Sequence, residues 1–476
     1  MRACYGVKEG VNVVEPWKVA NCPEEAGVSS KGVLAFLDAL QEAGIEPHSI
    51  LVLRNGMLAC KMNFAPYDDQ TPHVLFSLSK SFTSAAAGFA VAEGLLSWDS
   101  KVLDVLADKA PEAPDQWLQQ VTLHHLLCMG SGLDPASDAF DSDAQDWVKA
   151  VLACGCDAEP GTRFHYNSHG TYLISAMVQR VTGMNIRDYL MPRLFEPLGI
   201  PKPEWDVCPQ GICVGGWGLH LSTDSIARFG QCLLQKGMWQ GKQVLPVEWL
   251  EKATVSQIDN AHREPKPHAD WAQGYGYQFW RTRGNRYRGD GMYGQICMVS
   301  PEQNMVVAIT AGLNDIGKEL DLLNDFLFPA ADMEPGTPEE QQLLKLRLEQ
   351  LGYPWPVHDD DASELADCYE GEGAGLRIGA LGVECTFRNQ WTAFCGFFGW
   401  GEPVAHVQEH CFPAAPPLSF LLCAGWKDGR LSLLGRSKEA PFTVRAEAVR
   451  NEAGLLFHME GAGCPNQTIQ LNQKHK

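Results

Sequence analysis

Helical periodicity vanishes from Glu364 onward, past a boundary over about 330–362, which divides this chain into parts of different fold class. Before the change, Val33, Phe36, Leu37 and Leu40 fall at the i, i+3, i+4, i+7 spacing of one helix face within residues 30–43, and Gly44 is a stop. Residues 50–53 and 57–62 are short apolar strands joined by Arg54, Asn55 and Gly56, and Asn-Gly is the strongest short hairpin signal. Residues 82–96, rich in alanine and glycine, are apolar nearly all round, which predicts a helix buried in the core. Further helices are predicted over 121–127, 172–181 and 225–234, the second closed by Thr182-Gly183 and the third capped by Ser222 or Thr223. A second hairpin, 296–299 with 305–310, leads into a helix over 320–328. Then Pro335, Pro338, Pro354, Pro356 and the run 359–361 read as a linker around one solvated helix. From Glu364 onward short β-like runs alternate with turns such as Lys427-Asp428-Gly429-Arg430. The expected architecture is α/β of the α+β kind, with an antiparallel sheet flanked by helices over 1–330. A linker follows over 331–361 and a small all-β module over 362–476.

Composition narrows the function. With 38 basic and 58 acidic residues, 38 − 58 gives a net charge of −20, and no basic stripe interrupts it, so neither nucleic acid nor an anionic membrane is an expected partner. The 16 cysteines are scattered without repeated spacing, which fits reduced thiols better than a disulfide framework. Cys154 and Cys156 form a Cys-x-Cys pair with no second pair beside it and read as core thiols rather than zinc ligands. Residues 1–16 carry Arg2, Lys8 and Glu9 and no apolar run of signal-peptide length, so a cytoplasmic protein is expected. No metal or organic cofactor is implied, and a homo-oligomer is left open.

Three segments carry chemistry. In Ser77-Leu78-Ser79-Lys80 a serine opening a helix and a lysine one turn later share a face, so the amine can take the hydroxyl proton. The bland alternative is an N-cap serine with a solvated lysine. In the segment 160–168, Tyr166 can relay protons if a nearby ammonium lowers its pKa, or it is a buried structural tyrosine. In Gly289-Asp290-Gly291-Met292, glycines at a strand edge allow a backbone N–H to approach an acyl oxygen closely, and a plain loop or bulge is the alternative. His165 and His169 have a metal-pair spacing but read first as packing. Trp217, Trp271, Tyr275 and Trp280 are candidates for an apolar substrate pocket or for the core.

In this order the segments resemble the serine β-lactamase and penicillin-binding-protein superfamily, most closely its class C-like branch, which includes family VIII carboxylesterases and related amidases and peptidases. The resemblance runs over about 30–328 and extends to Val121-Thr122-Leu123-His124-His125 with Gly130-Ser131-Gly132, and to Gly215-Gly216-Trp217-Gly218 before Ser222-Thr223. It implies an all-helical subdomain beside the sheet and a hydrolase that forms an acyl-enzyme. Ser77 then matches the acylated nucleophile, Lys80 its general base, and Tyr166 the tyrosine that protonates the leaving group. Ser168 stands where the family's Tyr-x-Asn motif has asparagine. Residues 289–291 align with a Lys-Thr-Gly box that has lost its lysine, and Met292 would supply the second oxyanion N–H beside that of Ser77.

The lost lysine argues against an efficient β-lactamase unless Arg286 or Arg288 substitutes, and Asp290 would add negative charge to the ledge. A neutral ester or amide, or a cationic amine portion, of a small molecule or short peptide suits such a site better. Two readings compete with a hydrolase: an acyltransferase using the same acyl-enzyme, and a binding or sensory protein that keeps the fold without turnover.

Overall fold

The computed structural model describes residues 17–134, 140, 145–262, 265–359, 361–365, 367–388, 393–408, 418–461 and 464–474. The segment 1–16, on which the cytoplasmic expectation rests, lies outside them. Asn55 and Gly56 both adopt left-handed backbone, φ +53° and +75°, as a two-residue hairpin turn with right-handed strand twist requires. They join β1 (Pro47–Arg54) to β2 (Met57–Asn63). Two short strands, β3 (His73–Val74) and β4 (His220–Leu221), pair with each other. With β5 (Trp280–Thr282), β6 (Arg286–Gly291), β7 (Gln295–Ser300) and β8 (Met305–Ala311), the first hairpin builds a six-stranded sheet in the order β2-β1-β8-β7-β6-β5. Every pairing in that sheet is antiparallel.

Both faces of this sheet are covered, which is why its central strands read as continuous apolar runs rather than as alternation. Ile50, Val52, Met298, Val307 and Ile309 face a core shared with Val33, Phe36, Leu37 and Leu40 of α1 (Ser30–Ala43). Leu51, Leu53, Val299, Val306 and Ala308 face a larger core, which takes in α2 (Ser79–Ala92) and an all-helical region through Ile200. That region includes α3 (Leu123–Leu127) and α4 (Ser168–Thr182), and α5 (Thr223–Leu234) packs on the same face with Ser222 as its N-cap.

Several helix boundaries differ from the sequence expectation. Helix α2 begins three residues before the predicted start, because its first turn is made of Ser79, Lys80 and Ser81, polar residues that are nonetheless buried. Helix α4 begins at Ser168 with Asn167 as its cap, again ahead of the apolar pattern. The predicted 320–328 helix is α6 (Ile316–Leu322) followed by a wider π turn, Leu323–Leu327.

The helix of the connecting segment, α7 (Pro338–Glu349), carries a Thr337/Glu340 capping box. It lies on α1 with Leu344 buried and Arg347 paired to Asp38, so it is docked rather than free in solvent. Beyond it, ten strands from Cys368–Gly371 to Cys464–Gln473 form one sheet, closed into a barrel by parallel pairing of Ala393–Trp400 with Leu418–Lys427. The predicted Lys427–Arg430 turn is there, with Asp428 and Gly429 left-handed at φ +51° and +74°. Among the described residues, no helix is long and apolar enough to cross a membrane.

Candidate active site

Ser77 stands in the short turn Phe76–Leu78 that joins β3 to α2, two residues before the helix rather than at its first residue. Phe76 is held at φ +46°, a conformation a bulky side chain adopts only under constraint. One turn on, the Lys80 ammonium donates to Ser77 Oγ at 3.0 Å, to Ser168 Oγ at 3.0 Å and to the Gly216 carbonyl at 2.7 Å. The lysine is only 1% exposed. Burial pushes its pKa down to about 7, while the charge of Asp290 acts the other way.

Tyr166 sits beside this pair, with Lys80 Nζ 4.9 Å from its ring centroid. Its phenol is raised above the ordinary tyrosine range, first by burial and then by Asp290, with a hydrogen bond to Ser77 opposing. The expectation that an ammonium lowers it is therefore corrected: burial and Asp290 outweigh the Ser77 hydrogen bond and the charge of Arg288, and Tyr166 is a protonated phenol. The ring stacks on Trp280 at 5.2 Å and meets Tyr275 edge-on at 6.2 Å. Tyr275 and Trp280 are buried behind it, so they support Tyr166 rather than line a pocket, and Trp271 is anchored by an indole N–H donated to Asp290 at 3.0 Å. Trp217 lies on another side, edge-on to Phe140 at 5.1 Å, and His169 stacks on the same Phe140 at 4.4 Å.

Strand β6 presents two different faces. On one, Gly289 and Gly291 lie hard against the serine segment. A Cβ at 289 would come within 2.5 Å of both Leu78 and Ser81, and one at 291 within 2.1 Å of the Leu75 carbonyl oxygen. A lysine side chain at 289 has no room, so its absence follows from the packing. On the other face Arg288 is 0% exposed, its guanidinium 2.9 Å from Asp290, donating also to the Asp270 carbonyl at 2.8 Å. Arg286 donates to Asn324 at 2.6 Å and covers the Phe328 ring at 3.9 Å. Neither arginine replaces the missing lysine, and the negative charge expected of Asp290 is offset within its pair. Met292, 56% exposed, follows β6 directly. Tyr293 and Gly294, left-handed at φ +65° and +88°, then turn the chain into β7.

Sequence reasoning brought Ser77, Lys80, Tyr166 and Ser168 to one place, but it missed the Gly216 carbonyl as the third partner of Lys80. The glycine-rich turn 215–218 was the available signal. Among the described residues, His268, Asp270 and Asp321 place three potential metal ligands within 4.8 Å. Arg283 already fills that cluster, 2.6 Å from Asp270 and 2.5 Å from Asp321.

The Beta-lactamase family model matches residues 38–331. The 6-aminohexanoate-dimer hydrolase of Paenarthrobacter ureafaciens is 24% identical over 279 residues, 54% of this chain and 71% of that protein. In fold, the chain is similar to EstCE1, described as a hydrolase with promiscuous acyltransferase activity, at TM-score 0.52 and 17% identity over 64% of this chain and 99% of that one. The crystal structure of SurE aligns over 95% of this chain and 100% of its own, at TM-score 0.52 and 18% identity, so its likeness takes in the barrel as well as the helices and sheet. The match of one family model to the sheet and both its helical layers settles the kinship: this chain belongs to the beta-lactamase family.

Proposed function

We propose that the protein is a serine hydrolase that forms an acyl-enzyme on Ser77 and cleaves an ester or amide bond of a small molecule or short peptide. The observation that carries this reading is the Lys80 amine, 3.0 Å from Ser77 Oγ and brought by burial to a pKa of about 7. A neutral lysine amine has two N–H donors and one lone pair. Ser168 Oγ and the Gly216 carbonyl take the two donors, which leaves the lone pair for the Ser77 hydroxyl. Ser77 thus attacks a carbonyl carbon while Lys80 takes its proton. The N–H groups of Ser77 and Met292 stabilise the tetrahedral oxyanion, each worth on the order of 3 kcal/mol. Tyr166, a phenol that keeps its proton, passes it to the departing alcohol or amine and is replenished from Lys80. Water then releases the acyl group by the same route in reverse.

The ledge favours uncharged acyl groups, because Arg288 is committed to Asp290 and Arg286 to Asn324. The relative named as a 6-aminohexanoate-dimer hydrolase supports hydrolysis as the outcome. Intact-mass labelling with a fluorophosphonate probe tests the reading: one adduct on the wild type and none on Ser77→Ala is expected. A folded wild type that takes no adduct, and hydrolyses neither small esters nor small amides, refutes it.

A further inference from the structure

We propose that the C-terminal barrel is a working part of this site, with Phe442 as a positioning residue that holds, through Tyr293, the two backbone segments bearing the oxyanion N–H groups. The inference rests on the hydrolase reading for its catalytic meaning, and on contacts for its geometry. Phe76, just before Ser77, and Tyr293, just after Met292, are both non-glycine residues in left-handed backbone, φ +46° and +65°. Such conformations persist only where the surroundings over-determine them. Here the surroundings are each other and the barrel. The Phe76 and Tyr293 rings meet edge-to-face at 5.3 Å, and Tyr293 meets Phe442 edge-to-face at 6.2 Å, the geometry aromatic pairs prefer. A continuous line of three rings therefore runs from the nucleophile turn, past the loop after β6, to the barrel.

The segment carrying Phe442 is itself fixed. It connects the barrel strands Arg430–Ser437 and Thr443–Asn451 and is closed by the Ser437 N–H donating to the Phe442 carbonyl at 3.0 Å. Lys438 pairs with Asp68 at 2.8 Å, and the Glu439 carbonyl accepts the Val74 N–H at 2.8 Å, three residues ahead of Ser77. Val74 packs on the barrel's own core, and Ala440 is fully buried. The Pro441 carbonyl passes so close to Gly312 that a Cβ there would lie 2.6 Å from it. Tyr293 is tied to the same neighbourhood, its carbonyl accepting the Leu313 N–H at 3.3 Å. A loop held at this many points transmits its position to the ring it carries.

The test uses the full-length chain as wild type, Phe442→Ala and Phe442→Tyr, with two readouts. Hydrogen–deuterium exchange over residues 75–78 and 291–295 reports the backbone directly, whatever the reaction. The rate of fluorophosphonate labelling at Ser77, with kcat and KM for a small ester, reports the site. Phe442→Ala is expected to raise exchange in both segments and to lower the labelling rate and kcat about tenfold with KM little changed. Phe442→Tyr, which keeps the ring, restores both. Should Phe442→Ala not fold, Phe442→Leu, which keeps apolar volume without an aromatic face, takes its place. Unchanged exchange in a folded variant overturns the brace, as does a loss of rate that Phe442→Tyr does not recover. A wild type that takes no label sinks the hydrolase reading alone, and the exchange data still decide the brace.

Discussion

Two cations are buried within one small region of this molecule, and the structure treats them oppositely. Arg288 is fully enclosed with a carboxylate 2.9 Å away, and the pair acts as a fixed strut behind β6. Lys80 is as deeply buried, but its three near partners are a hydroxyl, a second hydroxyl and a carbonyl, none of them a counter-charge. Burial with a counter-ion preserves charge, and burial without one drives the pKa toward neutrality, here to about 7. The contrast shows why a lysine is suited to one place and an arginine to the other, since only lysine can shed its proton in this range.

Replacing each cation by methionine breaks the comparison most directly. Lys80→Met is expected to lower kcat/KM on the order of 10⁴-fold, because Ser77 loses the amine 3.0 Å from its hydroxyl that takes its proton. Its Tm should not fall, because the amine is held against its own solvation. Arg288→Met strands Asp290 in the interior beside Trp271 and should cost about 3–5 kcal/mol of folding stability. Denaturant midpoints for the two variants settle it: equal destabilisation would mean that the two buried cations are not treated differently after all.

Next in size is the effect of orientation. Ser168→Ala removes one of the two acceptors that aim the Lys80 lone pair, while the Gly216 carbonyl remains. A fall in kcat of about five- to tenfold, with KM nearly constant, is expected from one neutral-acceptor hydrogen bond of about 1 kcal/mol. A change confined to KM would instead place Ser168 on the substrate.

What was legible in the sequence follows the range of the interaction. Ser77 and Lys80 are one turn apart, and Asn55-Gly56 makes its turn from two adjacent residues, so both could be read locally. The Gly216 carbonyl reaches Lys80 across 136 positions of chain, and the glycine-rich turn around it marks a close backbone approach without saying to which side chain. Residues 286–291 hid their strand because glycine lacks the β propensity of its neighbours, and with the strand went its period of two. That period separates Gly289 and Gly291, which face the serine segment, from Arg288 and Asp290, which face away. The rise in the Tyr166 pKa depends on burial, which composition around residue 166 does not reveal.

The finest test of the comparison is a pH profile. With Lys80 as the base, kcat/KM should rise with pH as the amine loses its proton, through a limb near pH 7, and level off above it. Asp290 favours the protonated amine and so holds that limb higher than burial alone would. Asp290→Asn removes the anion and leaves the Arg288 cation uncompensated nearby, and both changes disfavour a second positive charge. The acid limb should therefore move to lower pH, with a larger share of activity retained below pH 7 even if the plateau falls. A limb that moves upward, or stays where it was in a folded variant, would mean that the strut does not reach Lys80 electrostatically and that desolvation alone sets the base.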